Sequence, residues 1–207
     1  MDVMALARAE RSDLADFLST LPPRQWESPT LCAGWSVRDV VAHIVSYEEH
    51  GPADLLKRLA RTRFRPQRLN AAALADYRDK GRDELLEFLR DHLEPQGSTA
   101  RFGGRVGLVD CLIHKQDIRR PLGMPRDVPP DRLAAALPFA AWAPPLRGFW
   151  KARGVRLVAT DLDWTHGHGP EARGHGEAVL MAMAGRGAAA ADLTGPGARI
   201  LQDRLGH

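Results

Sequence analysis

The stretch VDCLIHKQDIRRPLG, residues Val109–Gly123, decides how the middle of this chain folds. Its composition predicts a helix, and its proline and closing glycine mark the helix end. Each helical residue turns by about 100°. Asp110, His114 and Asp117 therefore share the face of the apolar residues Val109 and Ile113, and the helix directs two acids and an imidazole inward.

Two explanations fit inward polar residues on a helix. Asp110 and His114 are i, i+4 neighbours, so they can form a hydrogen-bonded pair or reach one metal ion together. A buried carboxylate is costly unless it is paired or bound to metal. On sequence alone the simple Asp–His pair is favoured, and a third ligand would change that balance. His43 is the best candidate, because it flanks the apolar stripe of another predicted helix. Two histidines and one carboxylate are the ligands of many catalytic zinc sites.

The bulk composition indicates an ordinary soluble globular protein. The 207 residues are 44% hydrophobic and 27% charged, with a formal net charge of +3. We expect no signal peptide and no membrane span, and we place the protein in the cytoplasm. The basic run 57–68 is better explained as a solvated helix end and loop than as a nucleic-acid patch. Cys32 and Cys111 are not expected to form a disulfide.

Hydrophobic periodicity predicts a helical bundle in residues 1–145. Four long amphipathic helices with no strand pattern between them imply an antiparallel four-helix bundle. Ser36 is a predicted N-cap with Asp39 as its capping-box acid. The expected helices span residues 2–21, from 36 onward, 70–94 and 107–120, with a continuation near 53–63 and a shorter fifth helix at 131–143.

The pattern changes near residue 145, and residues 146–207 are predicted to form a small α+β domain. Alternating β-branched residues predict a strand at 154–164. A glycine-rich turn at 165–176 and a short helix at 177–186 should follow, and a final strand is expected at 198–205. The fold class is thus mainly α, with a small α+β unit after the bundle.

A second histidine group, His166, His168 and His175, lies in the glycine-rich turn. Histidine-rich tracts can bind metal. However, histidines that alternate with glycines in a flexible turn are poorly preorganised. A solvated loop is therefore the preferred interpretation.

Three stretches of the chain resemble the mycothiol-dependent maleylpyruvate isomerase family. They are PTLCAGWSVRDVVAHI (residues 29–44), LVDCLIHKQDIRRPLG (108–123) and the weaker EARGHGEAVLMAMAGR (171–186). The resemblance implies a DinB-like four-helix bundle followed by a small domain similar to sterol carrier proteins. It touches both predicted domains.

The resemblance also implies a divalent metal, usually zinc, held by His43, Asp110 and His114. Well-characterised members have glutamate where this chain has Asp110. Mycothiol is the implied co-substrate, and Arg173 and Arg186 are candidate catalytic arginines that bind substrate anions. Asp117 is expected either to orient a metal-ligating ring or to form a helix-end salt bridge, and these two roles are equally favoured.

The implied function is a metal- and thiol-dependent isomerase or S-transferase. The metal would favour the thiolate, which adds to a small electrophilic substrate of the maleylpyruvate type. Two alternatives stay open: a non-catalytic metal-binding bundle, and a small-ligand binding module built on the C-terminal unit. We expect a small thiol and a small electrophile as partners, neither nucleic acid nor membrane, and a monomer or homodimer.

Overall fold

The protein divides into two compact units. The computed structural model describes residues 2–48, 51–63, 65–124, 128–143, 146 and 148–206. Clustering of backbone contacts gives one unit at Met1–Pro125 and the other at Arg126–His207. Within the described part of the chain, no helix combines the length and apolar character needed to cross a bilayer.

The first unit contains the predicted four-helix bundle. Its described helices are α1 (Val3–Thr20), α2 (Pro23–Trp26), α3 (Val37–Ser46), α4 (Pro52–Arg61), α5 (Pro66–Asp76), α6 (Arg82–Asp91) and α7 (Arg105–Arg119). Helices α1, α3, α6 and α7 form the bundle, because α1 and α3 each pack against both α6 and α7. This confirms the mainly α fold class.

The core of the bundle is built from the predicted apolar stripes. These side chains are almost fully buried and form one cluster: Leu14, Leu18, Val40, Val41, Ile44, Leu85, Leu89, Cys111 and Ile118. Burying aliphatic groups contributes roughly 25 cal/mol per Å² of apolar surface. The helices that carry the inward polar residues are therefore fixed by the apolar residues around them.

Helix α3 begins at the predicted capping box. The Ser36 backbone N–H donates to Asp39 Oδ2 at 3.0 Å, and the Asp39 backbone N–H donates to Ser36 Oγ at 3.3 Å. Two backbone donors that have no partner within the helix are thereby satisfied. The cap fixes where α3 starts, and so which of its residues face α7.

The single helix predicted over residues 70–94 is wrong, because the chain forms α5 and α6 with a break between them. Gly81 is the N-cap of α6, with an extended ψ of 170°. Its N–H donates to Glu84 Oε2 at 2.7 Å. The side chain of Arg38 also donates to carbonyls after the end of α5, including that of Lys80 at 2.8 Å. The break is stabilised from both sides.

The second unit combines helices with a small sheet. Its described elements are α8 (Pro130–Trp142), α9 (Gly148–Lys151), β1 (Arg156–Ala159), β2 (Thr165–His166), β3 (Glu171–Gly174), α10 (Gly176–Met183), α11 (Gly187–Ala190) and α12 (Pro196–Leu205). The sheet order is β2-β1-β3, with β1 antiparallel to β2 and parallel to β3. The predicted strand at 154–164 corresponds to β1.

The glycine-rich segment 165–176 is not a simple turn, because it contains β2 and β3. Its glycines permit close backbone packing. Gly167 has a φ of +81°, and a Cβ there would lie 2.5 Å from the Val155 carbonyl oxygen. The glycines therefore hold the segment against the start of β1 rather than loosening it.

The strand predicted at 198–205 is wrong, because these residues belong to α12. Pro196 occupies the first helical turn, where its missing N–H has no cost. Gly197, Ala198 and Leu201 are buried, which is a helical spacing. The adjacent Ile200 and Leu201 gave the sequence its strand-like character.

Helix α8 lies in the second unit. It packs against α9 and α10, although the predicted domain limits of 1–145 and 146–207 place it with the bundle. These domain limits stay a prediction.

Candidate metal centre

The bundle brings together the three predicted ligands. His43 comes from α3, while Asp110 and His114 lie one turn apart on α7. Asp110 Oδ1 lies 3.9 Å from His43 Nε2 and 3.5 Å from His114 Nε2. One ligand atom from each residue falls within 4.8 Å of the other two. Two histidine nitrogens and a carboxylate oxygen thus converge on one point.

The spacing of these atoms fits a zinc ion. Tetrahedral zinc with nitrogen and oxygen ligands at about 2.1 Å keeps its ligand atoms about 3.4 Å apart. The two measured distances from the Asp110 carboxylate are close to that value. The side chains of His43, His114 and Asp110 are 8%, 11% and 24% exposed, respectively. The carboxylate is the most accessible of the three, so the chemistry and reach of the donor set suit a partly accessible divalent metal.

Aromatic rings surround His43. Its ring centroid lies 5.0 Å from that of Trp35, 5.2 Å from that of Tyr47 and 4.8 Å from that of His114. The contacts with Tyr47 and His114 are edge-to-face, the geometry that ring quadrupoles favour. The packing fixes the His43 ring and keeps bulk water away from it.

Asp117 holds the other side of the His114 ring. His114 Nδ1 donates to Asp117 Oδ2 at 3.0 Å, and Asp117 is fully buried. Because Nδ1 carries this hydrogen bond, Nε2 is the nitrogen that faces Asp110. A carboxylate that orients a metal-ligating histidine is common in zinc proteins. The hydrogen bond to His114 is the contact that the predicted orienting role of Asp117 requires, and that role stays a prediction.

Sequence reasoning missed Cys32 as a neighbour of the site. Its thiol donates to Asp117 Oδ2 at 3.1 Å and lies 3.7 Å from His114 Nδ1. Cys32 and Asp117 are 85 residues apart, and no spacing rule connects them. The one available signal was that both residues lie in stretches that resemble the same family.

The loop that carries Cys32 is fixed to α7 by backbone bonds. The Leu31 N–H donates to the Asp117 carbonyl at 3.0 Å, and the Trp35 N–H donates to the Cys32 carbonyl at 2.9 Å. The latter bond closes a turn in which Gly34 has a φ of +79°. That conformation favours glycine at this turn position. The turn places both Cys32 and Trp35 at the site.

Neighbouring charges govern the protonation of His114 in the metal-free protein. Burial lowers the pKa of His114, but the charge of Asp110 and the hydrogen bond to Asp117 oppose it. Together with the contact to Cys32, these effects raise the pKa to about 10. Without metal, both nitrogens of the His114 ring are therefore protonated at neutral pH. The positively charged ring lies between the carboxylates of Asp110 and Asp117.

Tyr47 keeps its proton for a related reason. Burial and the nearby charge of Asp110 raise the pKa of Tyr47 to about 12, with Arg58 opposing them. Its hydroxyl donates to Asn70 Oδ1 at 3.2 Å. A neutral phenol thus lies beside the metal-ligand set. Cys111, in contrast, is a fully buried thiol whose pKa burial raises.

The two predicted arginines lie in the second unit. Arg173 is on β3, where its guanidinium contacts Glu171 Oε2 at 2.7 Å and its side chain is half exposed. Arg186 precedes α11, and its side chain donates to the Ala184 carbonyl at 3.0 Å. Their role as anion-binding residues stays a prediction.

The second histidine group is spread over the sheet. His166 stacks on Trp164 with ring centroids 5.9 Å apart, and His175 Nδ1 lies 3.6 Å from Asp161 Oδ2. In the part of the chain that the structure describes, neither potential metal-binding group of three includes a histidine of this segment. Both groups lie in the bundle and share His114.

Comparison with known proteins places the fold and the family. Two solved structures match over 94% of this chain and 91% of their own. One is a histidine-to-alanine mutant of the mycothiol-dependent maleylpyruvate isomerase, at 17% identity and a TM-score of 0.61. The other is the mycothiol-dependent maleylpyruvate isomerase, at 14% identity and a TM-score of 0.56. At these identities the likeness establishes the fold.

A search of curated proteins finds no match.

The family model described as the mycothiol maleylpyruvate isomerase N-terminal domain matches residues 7–119. This is more than half of the chain, and it includes all three candidate ligands. The chain therefore belongs to the mycothiol maleylpyruvate isomerase N-terminal domain family.

Proposed function

We propose that this protein is a mycothiol-dependent metalloenzyme that acts on a small electrophile of the maleylpyruvate type, as an isomerase or a thiol transferase. His43, Asp110 and His114 would hold the metal, with zinc as the expected ion. The observation that carries this proposal is the convergence of these three ligand atoms within 4.8 Å, inside the segment that the family model matches. The cytoplasm, where low-molecular-weight thiols stay reduced, is the proposed compartment.

The proposed reaction is a reversible thiol addition. The thiol sulfur forms a bond to one alkene carbon, and the double-bond electrons move onto the conjugated carbonyl group. The carbon–carbon bond, now single, rotates. The electrons then return, the sulfur–carbon bond breaks and the thiol leaves. A bound divalent metal supplies positive charge that favours the thiolate form of the thiol at neutral pH.

The chain's own residues set up this chemistry. Asp117 holds the His114 N–H, so that the opposite nitrogen is presented to Asp110 and His43. Trp35 shields the His43 ring from water. The protonated hydroxyl of Tyr47 lies at the edge of the site, where it donates its hydrogen to Asn70.

Asp110 reaches its partners although aspartate is one methylene shorter than glutamate. Its Oδ1 lies within 3.9 Å of both histidine Nε2 atoms. This reach supports Asp110 as the carboxylate of the proposed ligand set, in place of the longer acid that the family resemblance implies. We propose that Asp110 is the carboxylate ligand, and that Asp110→Glu retains metal binding.

Arg173 and Arg186 remain the proposed anion-binding residues. A guanidinium meets a carboxylate through two parallel hydrogen bonds. Arg173 is paired with Glu171, so a substrate carboxylate would exchange with that partner. The expected result of Arg173→Gln is a raised KM for an anionic substrate, with less effect on an uncharged acceptor.

Turnover of maleylpyruvate by the zinc-loaded protein tests the proposal. The assay compares reactions with mycothiol, without thiol and with glutathione, and it follows conversion of the cis to the trans isomer. We expect turnover with mycothiol that disappears in His114→Ala. Turnover without any thiol would contradict thiol dependence. Failure with maleylpyruvate, epoxides and electrophilic alkenes alike would contradict an enzymatic role.

One observation favours a second candidate, a non-catalytic metal-binding protein. The family model ends at residue 119, so the match extends over the metal-ligand set and does not reach the second unit. A protein that binds zinc with His43 and His114 but turns over none of these acceptors would fit this second candidate.

A further inference from the structure

A second set of ligand atoms lies behind the His114 ring. Cys32 Sγ is 3.1 Å from Asp117 Oδ2 and 3.7 Å from His114 Nδ1, and His114 Nδ1 is 3.0 Å from Asp117 Oδ2. One thiol, one carboxylate and one imidazole nitrogen thus meet within 4.8 Å. We propose that they form a second metal site, for a thiophilic ion such as cadmium.

The separations fit a bound ion. At the bond lengths of tetrahedral zinc, about 2.3 Å to sulfur and about 2.0–2.1 Å to nitrogen or oxygen, the ligand atoms lie about 3.3–3.6 Å apart, and the larger cadmium ion needs them further apart. Each measured distance is within roughly half an ångström of this range. Small rotations of the Cys32 side chain would bring the three atoms into position.

The second set is preorganised and reachable. Backbone bonds fix the Cys32 loop to α7, and the Asp117 carboxylate is fully buried. Cys32 is partly exposed, whereas Cys111 is buried. An ion can therefore approach from the Cys32 side.

The sulfur distinguishes the two sites. Thiolate ligands select soft and borderline ions, zinc among them, whereas imidazole suits zinc and similar transition metals and carboxylate suits harder ions. The first set, formed by His43, Asp110 and His114, offers only nitrogen and oxygen atoms. A thiophilic ion should therefore favour the second set, which contains the Cys32 sulfur. Binding replaces the thiol proton of Cys32 and the Nδ1 proton of the His114 imidazolium with bonds to the metal, and both protons are released to solvent.

The two sites share one ring. One site uses its Nε2 and the other its Nδ1, and an ion on Nδ1 breaks the hydrogen bond by which Asp117 orients the ring. We therefore expect cadmium in the second site to weaken zinc binding in the first. This property goes beyond the proposed enzymatic function and does not depend on it.

A cadmium titration of the full-length protein tests the proposal, followed by the ultraviolet charge-transfer band of a thiolate–cadmium bond. We expect the band in wild-type protein and in His43→Ala, which breaks the first set and keeps the second. Cys32→Ser should lose the band while still donating a hydrogen bond to Asp117. Cys111→Ser is the matched control and should keep the band.

Alkylation of the wild-type protein gives a readout that needs no variant. Cadmium should protect the partly exposed Cys32 from a maleimide reagent, as counted by mass spectrometry. Absence of the band in both wild type and His43→Ala, its persistence in Cys32→Ser, or failure of cadmium to protect Cys32 would each overturn the second site. In those cases Cys32 and Asp117 only orient the His114 ring. None of these results bears on zinc at the first set, which elemental analysis measures separately.

Discussion

Two clusters of buried charged residues lie inside the same bundle, and they are built differently. In the first, Arg11 Nη2 donates to Glu48 Oε1, and Lys115 Nζ lies 3.2 Å from Glu10 Oε1. All four of these side chains are at most 2% exposed. Lys115 Nζ also lies 3.9 Å from Oδ2 of the more exposed Asp13, so the buried charges of this structural cluster are paired within the protein.

The second cluster contains two carboxylates and two imidazoles. Asp110 and Asp117 flank the ring of His114, which lies between their two carboxylates. In the metal-free state a proton on His114 offsets one of them. A divalent cation would offset both. Lys115 and His114 are adjacent residues of α7. Lys115 belongs to a structural ion pair and His114 to the proposed ligand set, and the charges around the two residues differ accordingly.

Breaking the balanced cluster should produce the largest loss of stability. Arg11→Met leaves the Glu48 carboxylate buried without its cation, which costs about 3–5 kcal/mol in such pairs. Chemical denaturation measures the free energy of unfolding. The double variant Arg11→Met/Glu48→Gln should recover part of the loss, because no buried charge then remains.

The matched change at the other cluster is Asp110→Asn. We expect it to lower the stability of the metal-free protein less than Arg11→Met does, because the Asp110 side chain is 24% exposed. It should also reduce metal content, which Arg11→Met should not do in protein that remains folded. Equal losses of stability from both variants would remove the distinction between the clusters.

The stability of the metal-free protein should depend on pH because His114 is protonated when no metal is bound. Against the opposing effect of burial, Asp110 and Asp117 raise the pKa of His114 from its ordinary value of 6.5 to about 10 in the folded, metal-free protein. A raised pKa means that the folded state holds the proton more tightly. Its stabilisation is complete below about pH 6.5 and is lost as the pH rises toward 10.

Measured between pH 6.5 and 10, the free energy of unfolding of the metal-free protein should fall by on the order of a few kcal/mol. Asp117→Asn should flatten this dependence, because the anion that accepts the ring N–H is gone. A stability that stays level or rises in wild-type protein over this range would contradict the arrangement of His114 between two carboxylates.

Removing the orienting carboxylate should weaken metal binding without abolishing it. Residues that orient a metal ligand typically change affinity by 10–100-fold when mutated. Asp117→Asn should therefore lower zinc affinity by about that factor, as measured by competition with a chromophoric chelator. An unchanged affinity would mean that the hydrogen bond to His114 has no role in presenting its Nε2.

The smallest expected effect concerns the helix that carries His43. Ser36→Ala removes the N-cap of α3, and loss of such a cap costs about 1 kcal/mol. Thermal unfolding should show a modest decrease in Tm with unchanged zinc stoichiometry. A large loss of bound zinc would instead mean that the start of α3 controls the position of His43.

The bundle was predictable because its signals are local. The 100° rotation per residue places Asp110 and His114 on the inner face of α7, and the Ser36 capping box marks the start of α3. The approach of His43 to Asp110 was predictable because His43 flanks the apolar stripe of α3. These features depend on residues only a few positions apart.

The errors arose where structure depends on distant residues. The break at Gly81 is stabilised by Arg38, which is more than forty positions earlier, and β2 is too short to show alternation. Cys32 reaches the site only through the packing of its loop against α7, which no spacing rule encodes. The adjacent apolar residues Ile200 and Leu201 are compatible with a strand, but the residues buried by tertiary packing, Gly197, Ala198 and Leu201, have the spacing of a helix.

Elemental analysis of the purified protein tests the central claim most directly. Wild-type protein should bind about one zinc ion at the set formed by His43, Asp110 and His114, as the three-ligand arrangement predicts. His43→Ala and His114→Ala should each lose it while circular dichroism shows a retained fold. His92→Ala, a matched change at a histidine that contacts Phe88 instead, should keep it. Retention of zinc in both ligand variants, or no zinc in wild-type protein even after addition, would contradict the assignment.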